Sequence, residues 1–374
     1  MEKMGQGSLP EKIIVNKFGG GILIKNFIPL MVERLREQIK DGHRPVVVIS
    51  AFPGATDELL KSSGESFLGE FKERTFQTMI DIGFSEEWQK KARIELNKLF
   101  ADMEKDLKLS RTIKANEDRI VAYGEKLAAT IFTFYLNMLD LPAKRFLAEE
   151  IPIITDDNFK NANIVYEISE KNIKEKIQGV CNSKIIPVIP GFTGRTKDGQ
   201  TTTLGRGGTD TTACFVGSAL RAEKVILWKD VNGVLSTDPK IVPEAKTIEA
   251  INYQEAKRAG KIIHDKAIQY AKLFNTPLEI ASITNPESKT EVISKIKQPE
   301  KGAKIISYKK DTIFLVGNFD TQHVNDFNNL LNKSKKVDLK IGAFPYKNCT
   351  KLKAVVQTDN INNVIKVLHK KFII

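Results

Sequence analysis

The run Thr201-Thr202-Thr203-Leu204-Gly205-Arg206-Gly207-Gly208-Thr209-Asp210 is the part of this sequence that indicates most about its fold. A helix-like segment, Thr211–Leu220, follows it directly. A glycine-rich loop that leads into a helix presents free backbone N–H groups and the positive end of the helix dipole, where an anion can bind. Arg206 adds a planar guanidinium that can hold a carboxylate or a phosphate through two hydrogen bonds. The run therefore predicts an anion site at a loop-to-helix junction.

Asp210 closes this run and leaves two interpretations open. Aspartate is a common N-cap residue, so its role can be purely structural. It can instead orient a lysine, a magnesium ion or the attacking group of a reaction. Before the run, Arg195–Gln200 is turn-like, and Lys197-Asp198-Gly199 predicts the tip of a hairpin.

Short apolar runs alternate with helical stretches on both sides of this loop. The helical segment Ile28–Lys40 has its apolar residues on one face, and Gly42 ends it. This alternation predicts an α/β fold, with a mainly parallel sheet and helices on both of its faces. Five runs are predicted strands: Ile13–Phe18, Pro45–Ala51, Ile185–Phe192, Lys224–Lys229 and Leu278–Ile283.

Two regions depart from this alternation. Residues 66–110 contain no strand-like run and predict two or three amphipathic helices, which form either a lid or simple packing at one edge of the sheet. From Ala303 onward the order of elements is close to that of a small α+β ferredoxin-like unit. We expect a boundary near residue 300, which divides the chain into domains 1–300 and 301–374. The C-terminal elements are predicted as strands 305–308, 312–316, 337–343 and 351–357 and helices 325–332 and 362–368.

The charge of the chain is unevenly distributed. Lys and Arg exceed Asp and Glu by 12, but residues 301–374 hold 14 Lys and 5 Asp or Glu, an excess of 9, which leaves 3 for the rest. That block contains no arginine and no RNA- or DNA-binding pattern, so nucleic-acid binding is not expected. No run of about 18 apolar residues occurs and the N-terminal MEKMGQGSLP is polar, so we expect a cytoplasmic protein without a membrane partner.

Three further segments carry residues suited to anions or amines. Lys17 precedes Gly19-Gly20-Gly21 at the end of the first strand, a loop that either binds a phosphate or is a plain glycine turn. Lys229-Asp230 ends a buried strand, where ligands bind in parallel α/β sheets. Glu125 opens a helical run, where it either complements the helix dipole or pairs with a ligand amine. Cations, glycine N–H groups and carboxylates suit phosphoryl transfer better than acyl transfer.

Aspartate kinases carry such segments in a fixed order, and this chain resembles them over roughly residues 12–300. The C-terminal unit resembles an ACT domain, which in such kinases commonly occurs as a tandem pair. The segments that carry the resemblance are Lys17-Phe18-Gly19-Gly20, Val46–Thr56, Gly124-Glu125, the run 201–210, residues 228–240 and 260–264.

The resemblance implies the amino-acid kinase fold, a three-layer αβα sandwich with a mainly parallel sheet. It also implies ATP-dependent phosphorylation of the L-aspartate β-carboxylate, the first step towards lysine, threonine and methionine. It implies ATP and Mg²⁺ as cofactors, with Mg²⁺ bridging the phosphates and no metal-binding side chain assigned, and a homodimer formed through the ACT-like domain. The implied catalytic residues are Lys17 and Asp210; the implied aspartate ligands are Thr56, Glu125, Arg206 and Thr209; the implied ATP contacts are Gly19, Gly20, Gly21, Lys229, Asp230, Lys240 and Lys261.

Three departures from the family pattern keep other functions open. Gly21-Ile22-Leu23 stands where the family has Thr-Ser-Val, and Lys240 and Asp265 replace an arginine and a proline. The chain also has room for about one ACT unit. The alternatives are a catalytically weakened sensor of nucleotide or amino acid, and a related kinase with another acidic substrate.

Overall fold

We describe the protein from a computed structural model. The structure describes residues 12–61, 64–151, 153–259, 263–294, 296, 302–310, 312–333, 344–346, 349–355 and 361–373. In this part of the chain, no helix is long and apolar enough to cross a membrane.

The chain alternates strands and helices as far as residue 293 and then changes order. The strands are β1 (Ile13–Phe18), β2 (Arg44–Ile49), β3 (Ala143–Arg145), β4 (Ile186–Pro190), β5 (Thr193–Arg195), β6 (Thr201–Thr203), β7 (Lys224–Lys229), β8 (Ala250–Asn252), β9 (Leu278–Ser282), β10 (Lys289–Ile293), β11 (Gly302–Lys309), β12 (Thr312–Asn318), β13 (Phe344–Tyr346) and β14 (Cys349–Val355). The helices are α1 (Ile28–Lys40), α2 (Ala55–Lys61), α3 (Gly64–Asp81), α4 (Glu86–Leu107), α5 (Lys114–Val121), α6 (Tyr123–Met138), α7 (Tyr166–Ile173), α8 (Gly179–Asn182), α9 (Gly208–Ala219), α10 (Tyr253–Ala259), α11 (Asp265–Leu273), α12 (Thr321–Lys333) and α13 (Ile361–Phe372).

Eight strands form the main sheet, in the order β3-β4-β2-β1-β7-β9-β10-β8. The first six of these strands are parallel to one another, while β10 runs antiparallel to β9. The central strands are continuous apolar runs because both faces of the sheet are covered by helices. The mainly parallel sheet predicted from the sequence is confirmed.

Successive residues of each central strand enter two separate cores, because side chains alternate across a sheet. On β1, Val15 packs with helices α7–α11, and Ile14 packs with helices α1–α6. The same alternation occurs on β7, where Leu227 faces the first layer and Ile226 the second. The fold is therefore the predicted three-layer αβα sandwich.

The predicted helical region 66–110 consists of two long helices, α3 and α4. Buried aromatic and aliphatic side chains of both, such as Phe76 and Phe100, join the core on the α1–α6 side. Through this apolar core the region packs against the part of the chain that forms the main sheet and its helices, which we call the body.

A second sheet follows the first, with the order β11-β12-β14-β13 and antiparallel pairing throughout. Helices α12 and α13 pack on it around buried Phe327 and Leu368. This is the expected α+β arrangement of strands and helices. The strand predicted at 337–343 lies outside the described residues.

Three contacts hold the second sheet to the segment that follows β7. The Ile306 N–H donates to the Ser236 carbonyl at 2.7 Å. The Ser236 hydroxyl and His369 Nε2 lie 2.9 Å apart within a hydrogen bond. Val242 packs in the apolar core of the second sheet rather than in that of the body. The segment around Ser236 therefore contacts both sheets.

Candidate functional site

The predicted catalytic and aspartate-binding residues meet at the carboxyl ends of the parallel strands. A cavity of about 280 Å³ lies there, which we call the anion cavity. All six residues that the sequence assigned to catalysis and to aspartate binding line it. Its lining consists of Lys17, Ser50, Thr56, Glu125, Phe192, Gly205, Arg206, Gly207, Gly208, Thr209 and Asp210.

Lys17 and Asp210 form an ion pair at the base of the anion cavity. Lys17 Nζ lies 2.8 Å from Asp210 Oδ1, and the two side chains are only 12% and 13% exposed. The pairing follows from the strand period, since Lys17 lies on the same face of β1 as Val15, the face that α9 covers. A buried cation held by one carboxylate is available to a second anion that approaches from the cavity.

Helix α9 begins at Gly208, three residues earlier than predicted. Asp210 therefore lies within the first turn, and the interpretation of Asp210 as the N-cap is wrong. The N-cap is Gly207, whose φ of +73° is left-handed and whose added Cβ would lie 2.4 Å from the Cβ of His264. This close approach requires glycine, because any side chain would clash with His264.

Arg206 is exposed at the rim of the anion cavity, just after the β5–β6 hairpin. The predicted hairpin tip at residues 197–199 is confirmed. At the opposite side, the Thr209 hydroxyl donates to Ser50 Oγ at 3.3 Å, which connects α9 to the loop after β2. Thr56 opens α2 from the same loop.

Glu125 is a buried carboxylate with one oxygen left over. Its Oε1 accepts a hydrogen bond from the Ala51 N–H at 3.2 Å, while Oε2 is buried without a hydrogen-bond partner. Burial raises the pKa of Glu125 to about 8, and the backbone hydrogen bonds oppose this shift. Gly124 lets the helix approach this closely, since a Cβ there would lie 2.8 Å from the Ala51 Cβ. The free oxygen suits a ligand cation.

Asp118 supports the site and was not predicted from the sequence. This buried α5 carboxylate accepts hydrogen bonds from the N–H and the hydroxyl of Thr203, at 2.8 and 2.9 Å, and from the Lys160 N–H at 2.8 Å. It therefore joins the helix pair that carries Glu125 to the hairpin that carries Arg206. No local motif identifies Asp118, because its partners, Lys160 and Thr203, are distant from it in sequence.

The three glycines after β1 form a tight turn at the same end of the sheet. Gly20–Ile22 is a single 3-10 turn, with Gly19 and Gly20 half-buried and Gly21 exposed. Gly19 follows Lys17 by two residues in the sequence. None of the three glycines lines the anion cavity.

Lys229 lies near the Lys17–Asp210 pair and lines a second cavity. It lies one strand from Lys17 on the same face of the sheet, since Lys17 pairs with Leu227. Burial lowers its pKa, and the charges of Asp210 and Lys17 act on it in opposite directions. Lys229 also lines a cavity of about 550 Å³ between the two sheets, which we call the inter-sheet cavity.

Of the remaining predicted ATP contacts, those that the structure describes do not line either cavity. Asp230 and Lys240 are both exposed and line neither cavity, although their neighbours Val231 and Pro239 line the inter-sheet cavity. Lys261 lies outside the described residues.

The chain is similar in sequence to known proteins. The sequence profile of the amino acid kinase family matches residues 12–282. An aspartokinase of Rickettsia bellii is 30% identical over 299 residues, which cover 77% of this chain and 62% of that protein. The chloroplastic aspartokinase 2 of Arabidopsis thaliana is 29% identical over 319 residues, which cover 79% and 57%. This chain spans about three-fifths of the length of such curated relatives.

Solved structures share the fold over nearly the whole chain. Aspartokinase III of Escherichia coli, solved with aspartate and ADP, superposes with a TM-score of 0.70 at 23% identity, covering 96% of this chain and 84% of that one. The aspartate kinase of Clostridium acetobutylicum gives a TM-score of 0.75 at 18% identity, covering 96% and 100%.

Proposed function

Because this chain belongs to the amino acid kinase family, we propose that it phosphorylates the β-carboxylate of L-aspartate with ATP, giving 4-phospho-L-aspartate and ADP. One observation carries the proposal: the anion cavity combines a buried carboxylate with a free oxygen, an exposed arginine and a buried lysine–aspartate pair. An amino acid with a second carboxylate has complementary groups for each of these.

The substrate is held at both of its charged ends. Glu125 Oε2 accepts a hydrogen bond from the aspartate ammonium, which gives this buried carboxylate oxygen the partner that it lacks. Arg206 holds a carboxylate through its guanidinium fork. Thr56 and Thr209 complete the pocket with their hydroxyl groups. The β-carboxylate then lies towards the ion pair.

The chemical step needs positioning and positive charge more than covalent help from the protein. A β-carboxylate oxygen of aspartate attacks the γ-phosphorus of ATP, and the bond from that phosphorus to the bridging oxygen breaks as ADP leaves. Lys17 neutralises charge that develops on the transferring group. Asp210 fixes the position of the Lys17 amine through the 2.8 Å contact. Lys229 adds a second cation on the same face of the sheet.

ATP approaches from the side of the inter-sheet cavity. The turn of Gly19, Gly20 and Gly21 offers backbone N–H groups to its phosphates. Mg²⁺ would neutralise phosphate charge, and it fits the site as an ion held largely by phosphate and water oxygens. Among the described residues no three His, Cys, Asp or Glu side chains cluster as a metal site. Lys229, Asp230, Lys240 and Lys261 are the further ATP contacts that the proposal assigns.

A coupled assay of ADP release with L-aspartate and MgATP tests this function. We expect turnover that depends on aspartate and that L-glutamate does not support to the same degree, because an extra methylene moves the acceptor carboxylate relative to Lys17. An assay without an acceptor measures background ATP hydrolysis. A folded protein that releases no ADP above that background would contradict the proposal.

A catalytically weakened sensor is the second candidate, and the turn after β1 favours it. Gly21 and Ile22 stand where the family has threonine and serine, so the turn has no hydroxyl group at these two positions, and Ile22 is instead buried in the apolar core. Calorimetry that detects binding of aspartate and of a non-hydrolysable ATP analogue, without ADP release in the assay, would favour the sensor over the kinase.

The organisation of the whole protein follows from the same proposal. Residues 1–300 act as the catalytic domain, and residues 301–374 act as a single ACT-type domain that pairs two chains into a homodimer in the cytoplasm. Among the described residues the second sheet ends at strand β13, and this edge supports the pairing, since an edge strand can bond to another chain. Light scattering after size-exclusion chromatography measures the mass, and a monomer at micromolar concentration would contradict the dimer.

A further inference from the structure

The inter-sheet cavity has a wall that the kinase body does not supply. One side consists of the segment after β7, including Val234, Thr237 and Asp238. The other side consists of residues 305–310 of β11 and the turn that follows it. The cavity is therefore complete only where the second sheet lies against the body.

Specific bonds fix this wall in place. The Ile306 N–H donates to the Ser236 carbonyl at 2.7 Å, which ties β11 to the segment after β7. Ile305 is 4% exposed and packs in the apolar core of the body. The Tyr308 hydroxyl donates to Asp238 Oδ2 at 3.5 Å across the cavity. Tyr308 thus has a defined position relative to both sides.

The cavity has different chemistry at its two ends. Ile280, Val234 and Ile305 give it an apolar floor, and Tyr308 beside them remains 36% exposed. Lys229 lies at the other end, next to the Lys17–Asp210 pair. An apolar slot with an aromatic wall and a cationic end fits a planar base that carries phosphates.

We infer that Tyr308 of the second sheet forms one wall of the site for the nucleotide base. The inference rests on the proposed function, which brings a nucleotide to this cavity with its phosphates towards Lys229. The base lies against the ring of Tyr308, and the second sheet thereby takes part in nucleotide affinity while the aspartate-binding groups belong to the body alone.

Calorimetric titration with MgADP tests the inference in the full chain. Tyr308→Ala is expected to raise the Kd for MgADP roughly five- to a hundredfold, the range that follows from the loss of one base–aromatic contact. Tyr308→Phe keeps the ring and is expected to bind like the wild type. Lys370→Ala changes an exposed residue of α13 outside the cavity and serves as the matched control.

Inorganic pyrophosphate separates a contact with the base from a general effect on the cavity. It carries the phosphates without the base, so its affinity should be the same in the wild type and in Tyr308→Ala. Equal losses for pyrophosphate and MgADP, or no loss for MgADP, would overturn the inference and leave the proposed function intact. MgADP binding that depends on Tyr308, without any phosphorylation of aspartate, would support the inference and contradict the proposed function.

Discussion

The two cavities of this molecule differ in how their walls are made. The anion cavity is built from loops at the carboxyl ends of strands in one sheet, and its ionic groups are tied to helices α6 and α9. The inter-sheet cavity is built from two sheets that are joined by contacts such as that of Ile306 with Ser236. The anion cavity therefore lies within the body, and the inter-sheet cavity lies at the junction between the two sheets.

This difference separates two requirements of a kinase. Groups that stabilise developing charge act best when they are already in position, and the buried Lys17–Asp210 pair meets that condition. Nucleotide affinity depends on a cavity wall that is complementary to the nucleotide, and the second sheet can supply such a wall. Substitutions in the anion cavity should therefore change kcat or the KM for aspartate. Substitutions at the junction between the two sheets should change the affinity for the nucleotide.

Lys17→Ala should have the largest effect. Removal of a donor that acts on the transition state reduces kcat on the order of 10²- to 10³-fold. The variant also leaves Asp210 nearly buried without its cation, which costs about 3–5 kcal/mol in the free energy of unfolding. The coupled assay gives kcat, and urea denaturation gives the stability.

A double variant separates the loss of stability from the loss of activity at Lys17. Lys17→Ala combined with Asp210→Asn removes the uncompensated charge, so it should be more stable than the single variant and remain inactive. Lys12→Ala is the matched control, since Lys12 precedes the same strand with its side chain 68% exposed. A single variant that keeps kcat near the wild-type value would contradict the role assigned to Lys17.

Arg206→Lys should have the next largest effect, and it should act on aspartate. The substitution keeps the positive charge but loses the fork that binds a carboxylate with two hydrogen bonds. We expect the KM for aspartate to rise roughly ten- to a hundredfold, since one hydrogen bond to a charged group is worth that much. The KM for MgATP should change little. Lys197→Ala, at the exposed tip of the same hairpin, is the control.

Glu125 gives a pH-dependent test of the anion cavity. Its pKa is raised to about 8 by burial, so at pH 7 the free protein holds a proton there. An ammonium group beside Oε2 favours the carboxylate, so aspartate binding at pH 7 should release close to one proton, and the release should disappear as the pH rises through about 8. Calorimetry in buffers of different ionisation enthalpy counts the protons. Proton release that persists in Glu125→Gln would assign it to another group.

The same shift has a consequence for stability. In the unfolded chain Glu125 loses its proton near the reference pKa of 4.5, whereas the folded chain retains it to about 8. Between these values the folded state binds more protons, so this group makes the free energy of unfolding fall as the pH rises. Glu125→Gln should be less sensitive to pH across this window, which urea denaturation at several pH values measures.

The sequence predicted the central elements closely because their apolar runs are short and sharply bounded. The bounds of β1, β7 and α1 match the predicted ranges residue for residue. The short strands β3 and β10 were missed, since Ala143–Arg145 and Lys289–Ile293 contain charged residues and little apolar alternation. Their pairing is decided by neighbouring strands rather than by local pattern.

Site residues could be predicted from the sequence where their role depends on residue type within a motif. They could not be predicted where their role depends on contacts with residues that are distant in sequence. Lys17 and Arg206 belong to motifs whose chemistry is visible in the residues themselves. Asp118 acts through hydrogen bonds from Lys160 and Thr203, and Tyr308 lines its cavity only because two sheets meet. Such partners are distant in sequence, so no spacing rule identifies them.

Ser236→Ala should have the smallest effect, and only the affinity for the nucleotide should change. Its hydroxyl bonds His369 Nε2 at 2.9 Å and accepts a hydrogen bond from the Lys246 N–H at 3.1 Å, while its carbonyl still accepts the Ile306 N–H in the variant. The junction is thereby loosened by about 1–3 kcal/mol but not broken. Only part of this loss in free energy should affect nucleotide binding in the inter-sheet cavity. The KM for MgATP should therefore rise a few-fold, and the KM for aspartate should not change. Equal increases in both constants would show that the two cavities respond to the junction as one unit, and the contrast drawn between them would be wrong.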